Sequence, residues 1–442
     1  MTIPPEGEAG YTNDRSGWWG QLDDEQTPEL VWPRSRDVYD RMRRQDAQVM
    51  SVLRAVTLPI RRTPWRIDPA GARPEVVQLV AEDLGLPIVG QDPAPLPRTK
   101  DRFSWAEHLR LALLMLVFGH SPFEQVARFD EQGRARLRKL AWRPPKTISE
   151  FEVAADGGLV AIKQHGIAGK STARIPVDRL AVYVNDREGA NWAGQSLLRP
   201  AYKFWLLKDR ALRTQAQTIE RNGLGVPVIV AGDYSDDLDG NERYQREQAE
   251  VAANAKLAAG VRAGDNSGIS MRQGGAFDMK GVSGTLPDAE KVIRYYDEQI
   301  ARAVLAHFLN LGTQTGSWAL GSTFADFFTL SLQTVAQDIA AVTNHHVIED
   351  IVDWNWPAGE PAPRLVFDEI GSGITAEGIK ALMDCGALTP DDRLEQYLRQ
   401  QFSLPAFDPS TAREAKQPAA SPPPASPAPP GEAPPEQQRR FT

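Results

Sequence analysis

The apolar positions of the chain are most regular between residues 287 and 356. Val292, Tyr296, Ile300, Val304, Phe308 and Leu311 recur every three to four residues, which predicts a helix over 287–311 with one buried stripe. Pro287 suits its first position, and Asp288 and Glu290 set negative charge against its positive end. Residues 312–321 then break the pattern with Gly312, Gly316, Gly321, Thr313, Gln314, Thr315, Ser317 and Trp318, and read as a mobile polar loop carrying one large flat ring. A second stripe, Phe328, Leu332, Val335, Ile339, Val342 and His346, has heptad-like spacing and predicts a helix from Thr323, with Asp326 in its cap. That helix would run for roughly 45 Å. Two long helices around a polar loop suggest a mechanical element rather than a catalytic one.

Upstream, residues 1–33 are polar and turn-rich and read as an extended arm bearing the adjacent Trp18 and Trp19, which would bury against a neighbouring subunit or their own domain. Val38, Met42, Val49, Leu53 and Val56 predict an amphipathic helix that stops at Pro59, and a strand follows through Trp65 and Ile67. A short helix is expected over 74–84 and a proline-rich loop over 93–97. A helix capped by Ser104 and Glu107 then runs through the apolar stretch 109–118 to Gly119. Short strand-like runs at 123–129, 137–142, 151–153, 159–162 and 180–184, separated by turn signals, predict an antiparallel meander, so that 35–230 is α+β.

A long helix over 200–222 leads into the strand Val226–Val230, and an alanine-rich helix over 243–259, capped by Asp239 and Glu242, ends at Gly260. The glycine-rich stretch 261–286 has alternating runs at 269–273 and 277–282 and predicts a small projecting β-element with Arg262, Arg272 and Lys280 among its charges. After Trp354 and Trp356 a strand is expected at Arg364–Phe367 and helices at 376–385 and 391–401. From about residue 407, proline, alanine, serine and glutamate dominate, which predicts a disordered or polyproline-like tail.

With 442 residues, 41% of them hydrophobic, the chain can bury a substantial core in two or three domains. Its net charge of -8 argues against a surface built to grip nucleic acid. Cys385 is the single cysteine, so no intramolecular disulfide forms. No signal-peptide pattern opens the chain, and the longest apolar run, 111–118, is far short of the ~20 residues that span a bilayer, so no membrane partner is expected.

Candidate chemistry is sparse. Gly169, Lys170 and Ser171 end like a phosphate-binding loop, but the first glycine of that motif would fall at Gln164 and no helix start follows. The acidic stretch 233–242 fails the calcium-loop spacing, because the required glycine would sit at Glu242. His345, His346, Glu349, Asp350 and Asp353 are the one metal-like set; His346 and Asp350 could form a two-ligand clip, although His346 also falls on the apolar stripe. A structural role for them is preferred, and a metal-dependent enzyme using His345, His346 and Asp350 is carried as the alternative. No catalytic residue, cofactor or resident metal is assigned.

The order of elements resembles the portal proteins of tailed bacteriophages, particularly the Mu-like branch. The likeness lies in Tyr39-Asp40-Arg41-Met42 with Asp46-Ala47-Gln48, Leu58-Pro59-Ile60, the stretch from Gly194 to Lys203, and that from Asn222 to Pro227. The helix-loop-helix, and Gly386 to Pro390 ahead of Leu404-Pro405, complete it. The resemblance implies an α+β portal-type subunit with an α/β wing, a helical stem, a small β-containing clip and a long wing helix, assembling into a ring. Its parts would be an N-terminal arm (1–34), wing (35–237), first stem helix (238–260), clip (261–286), second stem helix (287–311), tunnel loop (312–322), long wing helix (323–356), crown-like segment (357–406) and tail (407–442). Thr313, Gln314, Thr315, Ser317 and Trp318 would face DNA, and Arg262, Arg272 and Lys280 would lie in the clip. The implied partners are a homo-oligomeric ring of typically twelve subunits, the terminase large subunit, head-tail connector or adaptor proteins, major capsid and scaffolding proteins, and double-stranded DNA passing without sequence specificity. The implied location is the portal vertex of the virion after assembly in the host cytoplasm. Another head-tail adaptor ring is a second alternative.

Overall fold

A single polar residue divides the first amphipathic segment. Asp46 adopts extended backbone and its carboxylate accepts the N–H groups of Gln48 and Val49, which ends helix α1 (Ser35–Gln45) and caps helix α2 (Ala47–Arg62). Pro59 does not stop α2 as expected. The helix continues to Arg62 because Val49, Val52, Leu53, Val56 and Ile60 hold one face in the core, and that packing outweighs the one missing hydrogen bond.

The computed structural model describes residues 25–91, 103–166, 171–224, 226–232, 239–260, 270–271, 274–280, 288–303 and 318–370, with a few isolated residues beyond. The chain divides into a unit Met1–Ser372 and a unit Gly373–Thr442, and the described elements belong to the first. The arm with Trp18 and Trp19, the loop 93–97, Gly169 and Lys170 of the phosphate-loop-like stretch, the helices expected over 376–385 and 391–401, and the tail lie outside the described residues.

After α2 come strand β1 (Trp65–Asp68), helix α3 (Pro74–Leu84), and helices α4 (Trp105–Ala112) and α5 (Met115–Phe118). The Ser104 hydroxyl accepts the Glu107 N–H at the start of α4, as its sequence signature predicts. Strands β2 (His120–Phe129), β3 (Ala135–Trp142), β4 (Ile148–Val153), β5 (Leu159–Gln164), β6 (Ala173–Pro176) and β7 (Leu180–Val184) form two antiparallel sheets, ordered β3-β2-β7 and β4-β5-β6. The single meander expected from the sequence is therefore replaced by two sheets. The first four residues of both β2 and β7 are buried, and pairing the two places them at the centre of the core.

Helix α6 (Tyr202–Leu224), strand β8 (Val226–Val230), helix α7 (Gly240–Gly260), strand β9 (Ala276–Lys280) and helix α8 (Ala289–Arg302) follow. Helix α9 (Trp318–Thr343), a π-helical turn (Asn344–Ile348), helix α10 (Glu349–Asp353) and strand β10 (Arg364–Phe367) complete the described elements. Strand β10 pairs antiparallel with β1, Trp65 opposite Phe367 and Asp68 opposite Arg364. Arg66 pairs with Asp368 and Arg73 with Glu360 beside it. The start of the segment expected to form a crown is thus paired in one sheet with the start of the segment expected to form a wing. One large apolar cluster joins α2, α3, α4, β1, β2, α9 and β10, and a second joins α1, α5, α6 and α8 through Val38, Met42, Phe118, Tyr202 and Ile300.

Candidate functional site

Helices α6 and α8 pack together through the rings of Phe204, Tyr295 and Tyr296. At their junction with α2, Lys208 Nζ lies 3.0 Å from Asp46 and 2.6 Å from Asp297. Burial opposes the charge on Lys208, but the carboxylates of Asp297 and Asp46 outweigh it and hold the ammonium above its ordinary range. Asp46 therefore both caps α2 and anchors α6.

Asp288 is the N-cap of α8, where its carboxylate accepts the N–H groups of Glu290 and Lys291. The helix thus begins after Asp288, and Pro287 lies outside the described residues. Ile300 is fully packed, whereas Val292 is 42% exposed. Helix α7 has no buried residue over its 21 positions, and Tyr244, Val251 and Leu257 are exposed along it. Strand β9 is exposed at all five positions. Its partner is β8, with Val226 opposite Lys280 and Val230 opposite Ala276, and most of the run 269–273 lies outside the described residues. The β-element expected in 261–286 therefore draws half of its sheet from 226–230, whose β-branched residues supply a strand across a long sequence separation. Of the three cations expected in a clip, Lys280 sits at the end of β9; Arg262 and Arg272 lie outside the described residues.

Helix α9 begins at Trp318, five residues earlier than expected, so the predicted capping pair Thr323 and Asp326 is inside the helix. Ala319 and Leu320 are strong helix formers, and Gly321 alone does not break the run. Thr313, Gln314, Thr315 and Ser317 lie outside the described residues; Trp318 is the first residue of the helix rather than a loop residue. The buried stripe also differs from the expected one. It runs through Phe328, Leu332, Ala336, Ile339, Ala340, Thr343 and Val347, leaving Val335 and Val342 half-buried and His346 exposed. A strict seven-residue repeat drifts from the true helical period, and the π turn adds a further residue.

Three side-chain amides tie that turn and the helix after it to neighbouring strands. Gln125, on β2, donates through Nε2 to the His346 carbonyl at 2.6 Å and to Asp350 Oδ2. Asn344 accepts the Leu365 N–H at 2.8 Å, and Asn355 pairs with both the N–H and the carbonyl of Ala135. The amides of Asn344 and Asn355 complete the hydrogen bonding of the edge strands β10 and β3, whereas Gln125 reaches the turn from the central strand β2. Nothing in hydrophobic periodicity marks these residues, although Gln125 is a polar side chain buried two residues after the fully buried Phe123.

The metal-like set is not assembled. His345 reaches Glu349 at 3.3 Å, Asp350 is taken by Gln125, and burial pushes the Asp350 carboxyl upward. Among the described residues no group of three or more histidine, cysteine, aspartate or glutamate side chains is placed to hold a metal ion. No described helix is long and apolar enough to cross a membrane.

Sequence reasoning missed a buried polar chain. His108 Nε2 lies 2.8 Å from the Tyr183 hydroxyl, which lies 3.0 Å from Thr343 Oγ1, and Thr343 donates to the Ile339 carbonyl at 2.7 Å. The last donation sets the direction: Tyr183 donates to Thr343, and His108 donates from Nε2 to Tyr183. Burial pushes the His108 pKa down to about 3.

A chain in the virion of a native gene transfer agent particle aligns with 85% of this chain and 95% of its own length, at 14% identity and a TM-score of 0.52. A chain from the neck of an empty gene transfer agent particle, computed with C6 symmetry, aligns over 84% and 94% at 14% identity and a TM-score of 0.53. An HK97 family phage portal protein from Corynebacterium diphtheriae aligns over 78% and 96% at 17% identity, with a TM-score of 0.37. The fold is thus that of a mixed helix-and-strand subunit of the kind these gene transfer agent particles contain. The family model for the portal protein of Mu bacteriophage matches residues 36–404, and the chain belongs to that family. It is a portal protein, a structural family, and the metal-enzyme alternative is not favoured.

Proposed function

We propose that this chain is one subunit of a closed ring, typically of twelve copies, at one capsid vertex, through which double-stranded DNA is packaged and ejected. The observation that carries the ring is the uncovered α7 and β8–β9 region, where Tyr244, Val251, Leu257, Phe277, Met279 and Val230 face solvent in the single subunit. A monomer gains nothing from such a surface, whereas head-to-tail packing of copies around an axis buries it. The neck of a native gene transfer agent particle computed with C12 symmetry, matched at 14% identity and a TM-score of 0.51, accords with twelve.

In this reading residues 240–260 and 288–303 are stem, the β8–β9 sheet is clip, and 312–317 form the tunnel loop facing DNA without sequence specificity, with Trp318 beside it at the start of α9. Arg262, Arg272 and Lys280 meet the terminase large subunit or head-tail connector, the capsid and scaffolding proteins surround the wing, and the ring performs no catalysis itself. Negative-stain images of purified protein are expected to show rings with a central hole; a stable monomer at high concentration would overturn the reading. Deleting residues 313–320 is expected to leave rings but impair DNA packaging or retention, and normal packaging by that variant would remove the role given to the loop. Terminase binding separates a portal from another head-tail adaptor ring.

A further inference from the structure

The cations of the chain are unevenly placed. Residues 34–62, spanning α1 and α2, hold eight arginines against three aspartates in a chain whose net charge is -8. Asp40 takes Arg43, Arg44 and Lys146, and Asp46 takes Lys208, so the acids of this region are already engaged. Helix α2 itself has no acidic residue. Its outward face carries Arg54, Leu58, Arg61 and Arg62, all exposed, at spacings of three and four residues. Among the described residues no carboxylate pairs with any of these three arginines. On its opposite face α2 is packed into the core, so the guanidinium groups project from a rigid support.

We propose that the Arg54, Arg61 and Arg62 face of α2 binds the phosphate backbone of duplex DNA, as a second contact separate from the channel loop. Arg54 and Arg61 are two helical turns apart, about 10 Å, a span over which a duplex presents about six phosphates. The absence of lysine favours phosphate, because the planar guanidinium forks onto phosphate oxygens. Leu58 is the one large apolar side chain among them, too little for the desolvated centre of a protein interface. An acidic protein segment is the competing occupant. The inference rests on DNA being the cargo of this portal protein and does not depend on the number of subunits.

The test measures binding of a fluorescent 30-base-pair duplex to the purified full-length protein across a salt series, with ring formation scored separately by negative stain. The combined variant Arg54→Gln, Arg61→Gln, Arg62→Gln is expected to weaken binding and lower the slope of log affinity against log salt by about 2 to 3, at about 0.9 for each phosphate no longer neutralised. Lysine at the same three positions should retain most of the slope. A control with the same change of charge, Lys163→Gln, Arg174→Gln, Arg179→Gln, which removes cations already paired with Glu150, Glu152 and Glu124, should leave it unchanged. Absence of wild-type binding, an equal weakening in the control, or an unchanged slope in the glutamine variant would overturn the proposal. So would loss of rings with DNA binding intact, which would make the face a contact with another protein copy. Failure of the wild type to form rings while the slope still falls would instead count against the ring and leave the DNA face standing.

Discussion

Gly119 and Gly194 meet backbone to backbone where α5 turns into β2. Gly119 closes α5 at φ 86, and a Cβ there would stand 2.3 Å from the Ala193 carbonyl oxygen; one on Gly194 would stand 2.3 Å from the Gly119 oxygen. The left-handed conformation and the contact both exclude a side chain. Gly119→Ala should therefore cost roughly 3 kcal/mol through strain and displaced backbone, read from the midpoint of urea unfolding. Two histidines nearby set a pH dependence. His108 and His120 are fully buried, and desolvation lowers them to about 3 and about 4. The unfolded chain takes up these protons first, at about 6.5, so their contribution is complete above that value. It is lost as pH falls from about 6.5 toward 4, at about 1.4 kcal/mol per pH unit for each histidine. Nε2 of His108 meets Tyr183 and Nδ1 of His120 meets Ala193, so His108→Gln and His120→Asn place an amide near each contact without a titrating ring. Each variant should remove about half of the slope of stability against pH between 6 and 4.5, and an unchanged slope would show that other groups carry it.

At the scale of elements, the junction of α2, α6 and α8 is held by one buried ammonium between two acids. Asp46→Ala removes the cap of α2 and leaves Lys208 with Asp297 alone. The expected cost is about 2–4 kcal/mol, and Lys208→Met should cost less in the Asp46→Ala background than in the wild type, because it then leaves one carboxylate, Asp297, without its ammonium instead of two, a coupling that a double-mutant cycle measures. Sequence periodicity located most of these elements because a buried stripe is a local property of consecutive residues. It failed where the outcome is set by a distant partner. Nothing near Trp65 names Phe367 as its neighbour across the β1–β10 pair, and nothing near Val226 names Lys280. The stripe on α9 was legible at Phe328, Leu332 and Ile339, but one residue out at Val335, Val342 and His346. The π turn held by Gln125 is a tertiary effect with no periodic signature. The candidate site was legible as two helices, α8 and α9, rather than as a set of contacts; the stretch between them lies outside the described residues.

For the whole molecule, the open question is what covers the apolar residues that the subunit leaves in water. Folding within one chain buries no position of α7, yet that helix carries Tyr244 at 60% and Val251 at 53% exposure, seven residues and so two turns apart on one face. If neighbouring subunits cover them, replacing Val251 and Leu257 with aspartate changes assembly without changing the fold. The subunit's own stability should change by no more than about 0.5 kcal/mol for each substitution, the usual range for exposed positions away from caps and pairs. Burying a carboxylate without a partner in the subunit contact is far more costly, and because the contact repeats around the ring the penalty recurs at every interface. The double variant Val251→Asp, Leu257→Asp should therefore pass from rings to monomers in sedimentation and light scattering, while its circular dichroism stays that of the wild type. Rings that persist at wild-type stability would place α7 in solvent in the assembly, and the closing contacts would then have to lie on the exposed sides of α8 and α9, where Tyr295, Phe327 and Leu330 are also uncovered.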